Sequence, residues 1–170
     1  MEILNPALAS HLDIASAEVV LVHVAGNDES VRAQREVLES LGDSREVPTD
    51  VWSRLQRSDP DGSISMRISR RPSELANLWS GVRSSCGHGT YIHANVERGI
   101  VRIVVPQGAS AELRPLISEL RRAGTLIGER LPDACWDSLG EDFASPLAVN
   151  ARRAFDPAAI LNRGILAPYV

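Results

Sequence analysis

Three side chains that can bind anions or transfer protons lie at equivalent positions of three strand-like segments. Arg67 falls within residues 63–69, His93 within residues 91–96 and Arg102 within residues 100–105. Because alternate residues of a strand point to opposite faces of a sheet, all three are predicted to share the face that the apolar residues leave. Arginine holds a carboxylate through paired N–H donors, and histidine exchanges protons near neutral pH. This face is therefore either an anion- or cofactor-binding surface or a solvated face with ordinary salt bridges.

The sequence excludes several other kinds of chemistry. All 18 of its basic residues are arginine, so no lysine is available for a Schiff base or for a phosphate-binding P-loop. No G-x-G-x-x-G opens a helix, and neither H-E-x-x-H nor G-x-S-x-G occurs. Cys86 and His88 form too short a constellation for a cysteine hydrolase. Cys86 and Cys135 are too few for an iron–sulfur cluster or a four-cysteine zinc site, and we expect two structural thiols.

The histidines do not predict a metal site. His88 and His93 are five residues apart with no carboxylate between them. That spacing suits neither one face of a helix nor one face of a strand. His23 lies in an apolar strand and is predicted to be a core histidine, and His11 has no recognisable context. No metal ligand is assigned.

Composition limits the class of protein further. The net charge of −4 argues against broad nucleic-acid binding, which needs a basic surface. No apolar run reaches the roughly 20 residues that span a bilayer. The first residues show neither the basic region nor the apolar region of a secretory signal. We therefore expect a cytoplasmic protein without a transmembrane segment.

Hydrophobic periodicity predicts the elements that position these side chains. Residues 18–24 form an apolar strand, and Gly26-Asn27-Asp28 then begins a helix with the stripe Val31, Val37, Leu38 and Leu41. Further strands are predicted over residues 63–69, 91–96, 100–105 and 125–131. Residues 97–99 form a hairpin turn with Gly99 available for positive φ. Short or amphipathic helices are predicted around residues 52–55, 75–82 and 113–120.

This order predicts an α+β fold with a ferredoxin-like arrangement. The sheet is mainly antiparallel, and each strong helix has one apolar stripe, so the helices are expected on one face. The chain is interpreted as a single domain over residues 1–170, with an α+β core over 18–132 and a C-terminal arm over 133–170. The core face is predicted to carry Ile64, Met66, Ile68, Ile92, Ala94, Val96, Val101, Ile103 and Val105.

The C-terminal segment carries a more specific motif. It runs from Phe155-Asp156-Pro157 through Ile160 to Asn162-Arg163-Gly164. This motif closely resembles the terminal F-D-P-x-x-I-x-N-P-G of the vanillyl-alcohol oxidase/p-cresol methylhydroxylase superfamily of FAD-linked oxidases. Within that superfamily, the chain is most similar to the C-terminal half of the FAD-binding subunits of bacterial glycolate oxidases. Weaker likenesses lie in residues 21–26, 51–55, 65–69, 98–106 and 124–132.

The resemblance implies a cap domain that covers a flavin and shapes the substrate site. It implies FAD as the cofactor, a small 2-hydroxy acid such as glycolate as the substrate, and an FAD-binding domain or subunit as the partner. The N-terminal FAD-binding domain is absent from this chain, so we expect the chain to be inactive alone. By this mapping, Arg67 or Arg102 holds the substrate carboxylate and His93 is the catalytic base or an oxyanion partner. Asn162 and Gly164 belong to the arm that returns to the cofactor, with other glycolate oxidase-like subunits as further partners.

Two departures separate this sequence from the family pattern. Arg163 stands where the family has a proline, and residues 87–93 lack the acidic residue and the spacing of the metal segment of related D-lactate-type enzymes.

The sequence leaves open an alternative function, a stand-alone ferredoxin-like binding or dimerisation module without catalysis. Such a module would form a homodimer through its sheet or its exposed edge.

Overall fold

The computed structural model describes residues 1–107, 113–136, 138–139 and 146–157, and these residues contain one six-stranded antiparallel sheet. The strands in spatial order are β2, β1, β4, β5, β3 and β6. Each strand is antiparallel to its neighbours. The bounds are β1 (Glu2–Leu4), β2 (Val19–Leu21), β3 (Ile64–Ser69), β4 (Tyr91–Asn95), β5 (Ile100–Val105) and β6 (Thr125–Arg130).

Seven α-helices accompany the sheet in the described residues. Their bounds are α1 (Pro6–His11), α2 (Asp28–Leu41), α3 (Val51–Gln56), α4 (Leu75–Ser85), α5 (Leu113–Ala123), α6 (Asp133–Trp136) and α7 (Pro146–Phe155). The predicted α+β class with a mainly antiparallel sheet is confirmed. Residues 64–130 follow the order β-α-β-β-α-β, which is the element order of the ferredoxin-like arrangement.

The two faces of the sheet follow from strict alternation in the central strands. Met66 lies opposite Ile103 in the pairing of β3 with β5, and the next pair is Arg67 with Arg102. Met66 and Ile103 are fully buried, whereas Arg67 is exposed. We call the face of Met66 and Ile103 the core face, and the face of Arg67 and Arg102 the polar face.

The long helices α4 and α5 cover the core face. Their apolar stripes are buried in one cluster with the alternating residues of β3, β4 and β5. The stripe of α4 contributes Leu75, Leu78, Trp79 and Val82, and that of α5 contributes Leu113, Ile117 and Leu120. This arrangement is the one expected from their single apolar stripes.

Helices α1 and α3, in contrast, pack against the polar face. Leu4 of β1 lies opposite His93, so its side chain points to the polar face. There it joins a second apolar cluster with Leu8 of α1 and Leu55 of α3. The expectation of helices on one face therefore holds for α4 and α5 and not for α1 and α3. The difference arises because β1 and β2 widen the sheet and bring apolar residues to its other side.

Strand β1 and helix α1 were not predicted from the sequence, and the sheet thus begins before residue 18. The buried side chain of Asn5 joins them to β4. Its Oδ1 accepts hydrogen bonds from the backbone N–H of Leu8 at 3.0 Å and of Ile92 at 3.1 Å. Its Nδ2 donates to the carbonyl oxygen of Thr90 at 2.7 Å. Asn5 therefore caps α1 and fixes this helix to the end of β4.

Helix α2 begins where the sequence predicts, but its apolar stripe is not buried. Asn27 accepts a hydrogen bond from the backbone N–H of Ser30 at 2.9 Å and caps the helix. Val37 is 59% exposed and Leu41 is 79% exposed, and none of the residues of α2 is buried. The preceding strand is also shorter than predicted, because only residues 19–21 pair with β1. The amphipathic pattern was sufficient to predict the helix but not a partner for it.

The C-terminal arm is described only in part. Helix α7 ends at Phe155, immediately before Asp156-Pro157, as a proline two residues later favours. Asn162 and Gly164, which the sequence assigns to cofactor binding, lie outside the described residues, as does Arg163. Among the helices that are described, none is long and apolar enough to cross a membrane.

Candidate functional site

The three residues that the sequence predicts for a site form a row across the polar face. His93 of β4 lies opposite Arg102 of β5, and Arg102 lies opposite Arg67 of β3. Leu4 of β1 extends the row beyond His93. The alternation of the strands correctly predicted that the three side chains share one face. Their direct juxtaposition follows from the strand order and register, since adjacent strands of a sheet lie about 4.8 Å apart.

Two carboxylates bind the guanidinium group of Arg102. Arg102 donates from Nη1 to Asp59 Oδ1 at 2.6 Å and from Nη2 to Asp59 Oδ2 at 2.8 Å. It also donates from Nε to Glu129 Oε2 at 2.7 Å. The other oxygen of Glu129 lies 2.7 Å from Nε of Arg67. Asp59, Arg102, Glu129 and Arg67 thus form a continuous chain of alternating charges, which we call the ionic chain.

Within the ionic chain, Asp59 and Arg102 stabilise each other in the charged form. The hydrogen bonds from Arg102 lower the pKa of the Asp59 carboxyl, although its partial burial opposes the shift. The same hydrogen bonds to Asp59 raise the pKa of the Arg102 guanidinium against the effect of burial. The bidentate geometry between two partly buried groups is the arrangement in which an arginine–carboxylate pair is strongest.

A third carboxylate, that of Glu2, contacts His93. His93 Nδ1 lies 3.1 Å from Glu2 Oε2, and Asn95 donates to the other oxygen at 2.7 Å. Burial raises the pKa of Glu2, but the hydrogen bonds from His93 and Asn95 outweigh it and leave the pKa lowered. An ionised carboxylate at Nδ1 favours the proton on that nitrogen and leaves Nε2 as the basic atom. Within the described residues, Nε2 has no hydrogen-bond partner.

Glu2, His93 and Arg102 line a cavity of about 300 Å³. Its polar side is formed by Glu2, His93 and Arg102, which come from three adjacent strands. Its other side is formed by Trp52, Leu55 and Gln56 of α3. The size is at the lower end of the range for small-molecule sites, about 300–1,000 Å³.

Helix α3 is held over the sheet by its own buried residues. Val51 and Leu55 are buried in the cluster of the polar face. Arg54 donates a hydrogen bond to the carbonyl oxygen of Leu12, at the end of α1. Trp52 is only partly buried, and the ring of His23 lies 6.1 Å from its ring. The buried neighbours of Trp52 hold the backbone of α3 here, and part of the Trp52 side chain is exposed and can contact a ligand.

Sequence reasoning identified part of this site. His93 and Arg102 line the cavity, whereas Arg67 lies beside it on the neighbouring strand and does not line it. The sequence did not predict Glu2, Asp59 or Glu129 as site residues. Trp52 was predicted only as part of a short helix and of the weak family likeness over residues 51–55. Glu2 and Asp59 are 91 and 43 residues from their partners in the chain. Spacing along the sequence carries no signal for contacts that distant.

The cavity does not fit a whole FAD molecule. Its volume and its six lining residues suit one small organic acid, and its walls offer no glycine-rich loop at a helix start for a pyrophosphate. In the described ranges, no group of three or more His, Cys, Asp or Glu residues could hold a metal ion. Burial raises the pKa of Cys86 to about 11, so this thiol is a poor nucleophile at neutral pH. The site therefore offers binding and proton transfer by its own side chains.

Comparison of the chain with protein families, with curated proteins and with solved structures found no match. The resemblance to the FAD-linked oxidases therefore rests on the sequence motifs alone. Any functional proposal for the chain has to be argued from those motifs and from the chemistry of the site.

Proposed function

We propose that this chain is the substrate-binding cap domain of a flavin-dependent oxidoreductase that acts on a small 2-hydroxy acid. The observation that carries the proposal is the Glu2–His93 pair, which lies in the cavity beside Arg102 and supports a role for His93 as a base. The terminal motif of the FAD-linked oxidases supports the choice of flavin chemistry. The proposal includes an FAD-binding domain or subunit as the partner and the cytoplasm as the location.

His93 is the proposed proton acceptor. Oxidation of a 2-hydroxy acid requires removal of the hydroxyl proton, and a neutral imidazole with a free Nε2 can accept it. Glu2 positions the ring through Nδ1 and stabilises the imidazolium ion that forms. This is the role that a carboxylate has in a carboxylate–histidine pair. Flavin, when bound by the partner domain, supplies the hydride acceptor.

The carboxylate of the substrate is proposed to lie between Arg102 and Arg67. Asp59 occupies one N–H on each terminal nitrogen of Arg102, which leaves one further N–H on each. Arg67 is 46% exposed and makes its salt bridge through Nε. Its terminal nitrogens have no partner among the described residues, so they can form the paired contact with a carboxylate. Arg102 lines the cavity beside His93, whereas Arg67 lies next to the cavity on the following strand, so Arg102 is the stronger candidate for the carboxylate of an acid whose hydroxyl group is at His93.

The test is reconstitution with a separate FAD-binding domain from a bacterial glycolate oxidase. The mixture is made anaerobic, a 2-hydroxy acid is added, and the loss of flavin absorbance is followed. We expect reduction only when both polypeptides are present. His93→Gln is expected to slow it about 100-fold or more, in line with the loss of a general base.

His88→Gln is the matched control, because His88 is exposed and does not line the cavity. Equal rates for the His93 and His88 variants would exclude His93 as the base. No reduction with glycolate, lactate or larger 2-hydroxy acids would overturn the proposed function as a whole. Equilibrium dialysis of the chain with FAD alone should show a Kd no tighter than about 100 μM.

One observation supports the alternative of a dimerisation module. Strand β2 is an edge of the sheet, and its residue Val20 is 54% exposed. An apolar edge strand can pair with the same strand of a second copy. A stable dimer in sedimentation velocity that Val20→Lys dissociates, combined with no binding of any 2-hydroxy acid, would favour this function over the cap domain.

A further inference from the structure

The volume of the cavity exceeds what the smallest 2-hydroxy acid needs. At about 30 Å³ per water molecule in the liquid, 300 Å³ corresponds to roughly ten waters. Glycolate, with about five non-hydrogen atoms, would fill roughly half of such a space. A larger apolar substituent could displace water from the surfaces of Trp52 and Leu55, which is favourable.

The two sides of the cavity differ in chemistry. The side formed by the strands carries Glu2, His93 and Arg102. The opposite side carries Trp52 and Leu55 of α3, together with Gln56, which is exposed at the end of this helix. A ligand whose carboxylate and hydroxyl groups face the strands directs its remaining substituent towards α3. The indole ring of Trp52 and the side chain of Leu55 can contact an apolar substituent but offer little to a polar one.

We propose that Trp52 and Leu55 are specificity-determining residues and that the site prefers a 2-hydroxy acid with a bulky apolar or aromatic substituent on its 2-carbon. This inference rests on the proposed function, because that function sets the orientation of the acid. Each methylene that the ligand buries against α3 should strengthen binding about fourfold. The substrate class is therefore larger than glycolate and includes mandelate and 2-hydroxy-4-methylpentanoate.

The full chain is titrated with glycolate, lactate, 2-hydroxy-4-methylpentanoate and mandelate, and binding is followed by NMR chemical shifts. We expect the two larger acids to bind at least tenfold more tightly than glycolate. Trp52→Ala should remove this preference, so that the two larger acids bind no more tightly than glycolate. Leu41→Ala is the control, because Leu41 is 79% exposed on α2 and should leave every affinity unchanged.

Two further variants keep the test valid if the alanine variant does not fold. Trp52→Phe and Trp52→Leu keep an apolar side chain at this position and should give intermediate affinities for mandelate. If Trp52→Ala does not fold, the order Trp, Phe, Leu in mandelate affinity still tests the role of the ring. Equal mandelate affinities for the three folded proteins would overturn the assignment of Trp52.

Phenylacetate separates this inference from the proposed function, since it differs from mandelate only by the hydroxyl group. If glycolate binds as tightly as mandelate and the hydroxyl group is required, the inference fails and the proposed function stands. If phenylacetate and mandelate bind equally and both need Trp52, the contact of the apolar substituent with α3 is supported, and the proposed action on 2-hydroxy acids is overturned. If none of the acids binds at about 10 mM, both are overturned.

Discussion

Arg102 of β5 and Asp59 of the loop before β3 are joined by two parallel hydrogen bonds of 2.6 and 2.8 Å. The pair ties a loop to the centre of the polar face, 43 residues away in the chain. Both side chains are partly buried, so neither can recover full hydration when its partner is removed.

Arg102→Ala is therefore expected to lower the free energy of unfolding by about 2 kcal/mol, because it leaves the partly buried Asp59 without its donor and leaves Glu129 with Arg67 alone. Arg98→Ala, at an exposed position of the hairpin turn, should change it by about 0.5 kcal/mol or less. Urea denaturation of the two variants measures the difference. Arg102→Ala, Asp59→Ala and the double variant form a cycle, and a coupling below about 0.5 kcal/mol would show that the pair adds no stability.

The contribution of Asp59 to stability should depend on pH. Arg102 lowers the pKa of Asp59 in the folded state, so the ion pair stabilises the protein fully above the unfolded Asp pKa of about 3.9. This stabilisation is lost as the pH falls through the lowered folded pKa. The difference in unfolding free energy between the wild type and Asp59→Asn should be constant from pH 7 to 5 and should decrease below about pH 4. Asp61→Asn, at an exposed neighbouring position, is the control, and a difference independent of pH down to about 2 would contradict the assignment.

Gly99 is required by the hairpin between β4 and β5. Its φ is +62°, and a Cβ atom there would collide with the carbonyl oxygen of Arg70. Gly99→Ala should therefore cost about 2 kcal/mol or more, from the left-handed backbone and the collision together. Gly87→Ala is the matched control, because no atom lies within 4 Å of the added methyl group. Similar thermal unfolding of the two variants would show that the turn can relax.

The two faces of β3 predict opposite results for neighbouring residues. Ile68 is fully buried on the core face, so Ile68→Ala should lower the unfolding free energy by about 2–5 kcal/mol. Arg67 is exposed on the polar face, and Arg67→Ala should cost about 0.5 kcal/mol or less. Equal losses in urea denaturation would mean that the faces are assigned the wrong way round.

The alternation of apolar and polar residues predicted the central sheet well. Strands of five or six residues, such as β3, β4 and β5, show a clear period of two, and this period predicts that Arg67 and Arg102 share a face. The pairing of β3 with β5 then makes them neighbours. The hairpin turn at Gly99 was also predicted correctly, because few other residues adopt its φ.

Short strands and distant contacts could not be predicted in this way. Strand β1 has three residues, too few to show a period, and it joins the sheet only because β2 and β4 pair with it on both sides. Asn5-Pro6, an N-cap followed by an N1 proline, was a readable signal for α1. The apolar stripe of α2 shows the opposite error. Val37 and Leu41 predict a helix packed against the core, but both side chains are exposed.

Strand β4 contributes side chains to both faces of the sheet, and its pairing register decides which side chains lie on each face. Ile92 and Ala94 lie on the core face under the long helices, while His93 lies between them on the polar face. A slip of β4 by one residue would exchange the faces, burying the imidazole among apolar side chains and moving Ile92 beside Arg102. A misregistered sheet would therefore lose its core and its candidate base in the same step. Correct burial of Ile92 thus ensures correct placement of His93, so a well-packed population of this protein should contain no register isomer that lacks the site.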